Sequence, residues 1–164
     1  MKRVAIALGL TLVLSAAWVA SAQTKPDFSG TWRFNQAKST PGTAGNTPNI
    51  AFPSQLVIKQ SPNELYVAAT SVRQAPVTAT YKLDGTKVNV EAPRGITEVG
   101  DAKIDGSTLV INTRRSFTSP AGETVINFKE VWTLNGSVLT IEKTRIEEGD
   151  SHTEKGVYDK MAGA

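Results

Sequence analysis

The chain has 164 residues, with 18 Lys and Arg, 15 Asp and Glu, a single His and no Cys. Lacking cysteine, it has neither disulfide staples nor a thiol nucleophile nor a thiolate metal site, so a hydrophobic core must hold the fold unaided. The net charge of +3 is too small for the clustered Lys and Arg that displace counterions from nucleic acid, so no nucleic-acid partner is expected.

Residues 1–22 read as a secretory signal. Lys2 and Arg3 form a charged start, Val4 to Val19 an apolar run, and Ala20-Ser21-Ala22 a small-residue cleavage site. A membrane anchor is the competing reading, but the run falls short of the roughly 20 apolar residues a spanning helix needs. Cleavage after Ala22 removes two cations and no acid, leaving 16 basic against 15 acidic residues, or +1. No Cys follows the site to carry an acyl chain. The expectation is one domain over residues 23–164, periplasmic or secreted and without a membrane anchor. At 142 residues (164 less 22), such a chain buries roughly two-thirds of its unfolded surface.

From Phe28 onward apolar and polar residues alternate in short runs, and no window carries a helical period. The spacing predicts strands over Phe28–Asn35, Gln55–Gln60, Glu64–Ser71, Val77–Leu83 and Lys87–Ala92. Five more follow over Thr97–Ile104, Thr108–Phe117, Thr124–Leu134, Val138–Ile146 and Thr153–Asp159. The interruption is residues 36–53, rich in Gly, Pro, Thr and Asn. It reads as one long loop without helix, either a lid or partner-binding loop or a plain connector. A meander of this kind must close on itself or leave exposed edges. An all-β, up-and-down antiparallel barrel of 8–10 strands is therefore expected, with a two-sheet sandwich as the alternative.

Asp84-Gly85, Asp105-Gly106 and Asn135-Gly136 are strong two-residue hairpin signals, because Gly supplies positive φ. Centring a hairpin on Asn135-Gly136 sets Trp132 opposite Leu139, Glu130 opposite Ile141, Phe128 opposite Lys143 and Ile126 opposite Arg145. All eight share one face, since side-chain direction alternates with period two. Around Asp105-Gly106, Ala102 meets Leu109 and Glu98 meets Thr113, with Arg115 diagonal to Glu98. Around Asp84-Gly85 the inner set is Leu83, Tyr81, Ala79, Val88 and Val90. The inner face is thus apolar near these turns and charged toward the other end. Charges in a packed core cost several kcal/mol each unless paired. They line a wet cavity, with Arg115, Lys143 or Arg145 meeting a ligand's polar end, or they are rim residues on strands that overrun the core.

Catalytic constellations are sparse. The single His152 sits by a Glu-Glu-Gly-Asp-Ser turn, far from any evident nucleophile, and the expected position is exposed. Glu147, Glu148 and Asp150 lack the ordered spacing of a calcium loop. Glu98 and Glu130 form the one acid/base pair worth considering, if both face a single cavity.

Phe28-Ser29-Gly30-Thr31-Trp32-Arg33-Phe34, with Asn35, Lys38 and Ser39, the turn-separated strands, and a final Val157-Tyr158-Asp159-Lys160, together resemble the calycin superfamily. That superfamily contains the lipocalins and fatty-acid-binding proteins. The chain is most similar to small exported bacterial lipocalin-like proteins. The resemblance implies a barrel whose Gly30 and Trp32 form a plug at one end, with a basic side chain from a late strand across the indole. Lys143, Arg145 and Lys155 are the candidates. There is no second or third lipocalin motif, no disulfide, no helix after the last strand, and no helical pair after the first. The functional expectation is a small hydrophobic or amphiphilic ligand held near Tyr81, Arg115, Glu130, Lys143 and Arg145, without cofactor or metal. The alternatives are a solid barrel that contacts a protein through residues 36–53, or an enzyme using Glu98 or Glu130.

Overall fold

A computed structural model describes residues 25–40, 52–71, 74–92, 95–120 and 122–162. The proposed signal segment, and most of the 36–53 loop, lie outside the described residues.

Alternation becomes strand wherever the sequence predicts it, and the ten strands are β1 (Gly30–Phe34), β2 (Gln55–Gln60), β3 (Glu64–Ser71), β4 (Gln74–Lys82), β5 (Val88–Val90), β6 (Ile96–Asp105), β7 (Thr108–Ser119), β8 (Gly122–Asn135), β9 (Val138–Glu147) and β10 (Asp150–Lys160). A 3-10 turn over Gln36–Lys38 corrects the expectation of an entirely irregular segment there. The Asn35 side chain caps it by accepting from the Lys38 amide. Asn35 and Lys38 both hold Asp159, at 2.6 and 2.9 Å, which keeps that carboxyl below its ordinary range and ties the turn to β10.

All pairings are antiparallel. The sheet runs β4-β3-β2-β1-β10-β9-β8-β7-β6-β5, so β1 and β10 close the ring and β4 and β5 are its two edges. The result is a nearly closed barrel rather than a sandwich. Asp84-Gly85 does not make the expected hairpin. The Asp84 carboxylate accepts from the Thr86 amide at 2.8 Å, and the Gly85 amide donates to Ala102 O on β6 at 3.0 Å. The chain is thereby carried to β6 before β5 begins, leaving β4 without a ladder partner on that side. The Thr78 hydroxyl, 2.8 Å from a Glu91 carboxylate oxygen, bridges the opening.

The other two hairpins have the expected faces in a different register. Their loops are Gly106-Ser107 and Gly136-Ser137, each Gly having φ +58° and each following Ser a negative φ. Positive φ at the first central position alone marks a II′ turn, not the I′ turn that centres on Asp-Gly or Asn-Gly. Partners consequently shift by two residues. Trp132 meets Ile141, Glu130 meets Lys143, Phe128 meets Arg145, and Glu98 meets Arg115 directly. A two-residue shift preserves every inward side chain.

The core fills the end bearing these turns. Phe28, Trp32, Leu65, Leu109, Leu139 and Tyr158 are completely buried. The Trp32 indole donates to Phe28 O at 2.9 Å, and Phe28 meets Trp132 edge-on with centroids 6.1 Å apart. The cation over Trp32 is Lys160, 5.2 Å from the ring centroid, not Lys143, Arg145 or Lys155. The reason is ring closure, which sets Trp32 directly opposite Lys160.

Higher in the barrel, Phe52 stacks on Phe34 at 5.8 Å and fills the space above Gly156. A Cβ at Gly156 would stand 2.5 Å from Phe52 Cδ1. Gly156→Ala is therefore expected to cost about 1–3 kcal/mol in denaturant unfolding, the usual range for overpacking. An unchanged midpoint would show that Phe52 swings aside freely.

Candidate functional site

The hairpin register determines which side chains meet inside. Leu109, Trp132 and Ile141 occupy neighbouring inward positions on β7, β8 and β9. One step up, Ile111, Glu130 and Lys143 do the same. Above the packed floor these walls enclose a cavity of about 140 Å³. Its apolar surface comes from residues such as Leu56, Val67, Ile111 and Ile141, and four aromatics, Phe52, Tyr81, Trp132 and Tyr158, complete it. Three charged groups enter it: Glu98, Glu130 and Lys143. A larger hollow of about 660 Å³ lies at the opposite end, around Lys25, Glu64, Lys82 and Asp84. It is a polar surface bay with little apolar wall, so the interior cavity is the better candidate.

Lys143 Nζ lies 2.8 Å from one Glu130 oxygen, and the Trp132 indole N–H donates to the other at 2.8 Å. Lys143 also stands 4.9 Å over the Phe128 ring. Tyr81 reaches across the open seam from β4. Its ring needs Gly100, where a Cβ would approach Tyr81 Cε1 to 2.8 Å. The Tyr158 hydroxyl donates to Pro53 O at 3.1 Å. Burial, reinforced by the negative charge of Glu130, pushes both phenol pKa values above their ordinary 10.0.

Of the residues singled out in the sequence, Tyr81, Glu130 and Lys143 come together in the cavity. Arg115 and Arg145 do not line it. Arg115 Nε and a terminal nitrogen each lie 2.7 Å from the same Glu98 oxygen, with the side chain 38% exposed over Phe128. Arg145 pairs with Glu147 two residues along its own strand, and its Nε is buried without a hydrogen-bond partner among the described residues. Both cations fall on the rim side of the belt because each sits one inward step or more beyond the Glu130–Lys143 pair. Gly30 and Trp32 lie in the closed floor, away from the cavity.

Residues not singled out also matter. Glu154 is 4% exposed, directly opposite Lys143 on β10, with His152 Nε2 3.1 Å away. His152 is half-buried in this belt rather than exposed. The signal for both was the Glu148-Gly149 loop, whose two positive φ values of 48° and 91° set the β9–β10 register. Among the described residues no cluster of three His, Asp or Glu is arranged to hold a metal ion, and no helix is long and apolar enough to cross a membrane.

The nearly closed ten-stranded antiparallel barrel is similar in fold to solved structures of fatty-acid-binding proteins. Similar solved structures include a fatty acid transporter designated REP1-NXSQ, at TM-score 0.55 and 8% identity, covering 83% of this chain and 97% of that one. Zebrafish ileal bile acid-binding protein in complex with cholic acid matches at TM-score 0.53 and 11% identity, over 82% and 98%. Secretory abundant heat soluble protein 4 from Ramazzottius varieornatus matches at TM-score 0.53 and 18% identity, over 82% and 94%. No family profile matches the sequence, and no curated protein does.

Proposed function

We propose that this chain is an exported binding protein that holds a small hydrophobic or amphiphilic molecule inside its barrel. The observation that carries this reading is the graded interior: apolar and aromatic walls beneath the Glu130–Lys143 pair and Glu98. A hydrocarbon portion gains from the walls while a polar end meets the charged belt. Two similar structures are named for fatty acid transport and for bile acid binding, which agrees with this ligand class. Export rests on the signal-like residues 1–22, as does a periplasmic or secreted location.

Titration with hydrophobic fluorescent probes and short-chain amphiphiles, followed by Trp emission, should give a saturable response. Ile111→Trp, which fills the cavity, should abolish it. No response from any compound would reject the reading.

One observation favours a second reading. At about 140 Å³, the cavity is smaller than the roughly 300–1,000 Å³ usual for small-molecule sites. A barrel that stays closed to every probe would act as a rigid module for a protein partner through residues 36–53. The enzyme reading is weaker. Glu98 and Glu130 both line the cavity, but each already holds a cation, so neither is the isolated carboxyl in an apolar pocket that acid catalysis favours.

A further inference from the structure

We infer that the head group selected by this cavity is an organic cation, an alkylammonium in chemical class, and not a carboxylate. The inference rests on the binding reading above and specifies its ligand.

The charged groups that enter the cavity are two carboxylates and one ammonium, so the lining carries a net charge of −1. Its one cation is committed. Lys143 Nζ is held at 2.8 Å by Glu130 and faces the Phe128 ring. Neither arginine of the belt is available in the cavity, because Arg115 grips Glu98 from outside and Arg145 is paired with Glu147. A ligand carboxylate would have to displace Glu130 from Lys143, leaving two carboxylates in contact at one site. Like charges at that distance repel strongly where water is scarce. Glu154, buried on β10 opposite Lys143, adds a third inward carboxylate nearby.

A cation meets the opposite situation. Both Arg115 contacts go to one oxygen of Glu98, and its other oxygen makes no hydrogen bond among the described residues. The surrounding aromatics are Phe52, Tyr81, Trp132 and Tyr158. An aromatic face attracts an ammonium group through the ring quadrupole, most strongly when the site is desolvated. A carboxylate oxygen without a hydrogen bond at an aromatic-lined cavity suits an ammonium head group, through a hydrogen bond where the head carries N–H and through charge alone where it is quaternary.

The test is a matched series on the full chain at neutral pH and low salt: decyltrimethylammonium, decanol and decanoate, each below its micelle concentration, competing with a neutral fluorescent probe. The ammonium compound should bind about tenfold tighter than decanoate, an effect on the scale of one favourable charge contact. Decanol should fall between them. Glu98→Gln should remove most of the difference, while Lys143→Met, by freeing a Glu130 oxygen, should raise ammonium affinity several-fold. Thermal melts of both variants verify that they are folded. Decanoate binding as tightly as the ammonium compound, or tighter, overturns the inference and leaves the binding reading standing. A bound probe that none of the three displaces overturns this inference alone, whereas failure of the neutral probe and of decanol to bind at all overturns the binding reading and this inference with it.

Discussion

Trp32→Ala is expected to lower unfolding stability by about 3–5 kcal/mol, the usual cost of emptying a large aromatic site in a core. Trp32 is completely buried, its N–H is satisfied by Phe28 O, and Lys160 covers its face. Removing the ring leaves Phe28 O without its donor, strips Phe28 of a neighbour and opens a void that the closed floor cannot collapse around. For a domain of this size the loss corresponds to a fall of about 10–15 °C in Tm. Lys160→Ala should cost only about 0.5–1 kcal/mol, because an exposed cation–π contact is weak. If the Trp32 variant melted within a few degrees of the parent, the floor would not be what holds the barrel closed.

Stability is expected to fall steeply above about pH 10. Tyr81 and Tyr158 have phenol pKa values raised by burial and by Glu130, so the folded barrel keeps both protons where the unfolded chain, near 10.0, releases them. The unfolded state then binds fewer protons than the native state, and stability decreases as pH rises. The contribution is fully present below the unfolded value and is lost as pH climbs toward the raised folded values. Two such groups give a slope of roughly 3 kcal/mol per pH unit. Unfolding free energies from denaturant midpoints between about pH 10 and about pH 12 should approach this slope, with half of it left in either Tyr81→Phe or Tyr158→Phe and none from these groups in the double variant. A parent protein whose midpoint stays flat across that range would contradict the buried position of both hydroxyls.

The architecture was legible because its signals are local. Period-two alternation marked all ten strands, and Gly106 and Gly136 marked the hairpins. Register was misread by two residues because Asp105 and Asn135 proved to be the last strand residues before Gly-Ser loops. The inner faces were correct regardless, since a shift of two leaves parity unchanged. That is why Tyr81, Glu130 and Lys143 could be brought to one interior from sequence.

What was not legible depends on closure and on side-chain reach. Lys160 lies over Trp32 only because β10 returns to β1, a pairing between residues 128 positions apart. The opening between β4 and β5 follows from Gly85 bonding to Ala102, which no hairpin rule anticipates. Arg115 and Arg145 share the inward face with Lys143, yet they sit further toward the rim, where Arg115 pairs with Glu98 and Arg145 with Glu147 instead of lining the cavity. Parity assigns a face; it does not assign a partner.

The most direct test of the central claim uses the indole N–H groups of Trp32 and Trp132, two of the chain's three tryptophans, as separate reporters. Trp132 donates to Glu130 at the cavity, whereas Trp32 donates to Phe28 O in the sealed floor. Titrating the protein with decyltrimethylammonium and following both indole resonances by NMR should move Trp132 Nε1–H saturably and leave Trp32 Nε1–H in place. If the Trp132 resonance stays fixed at saturating amphiphile, or if only the Trp32 resonance moves, the barrel interior is not the binding site.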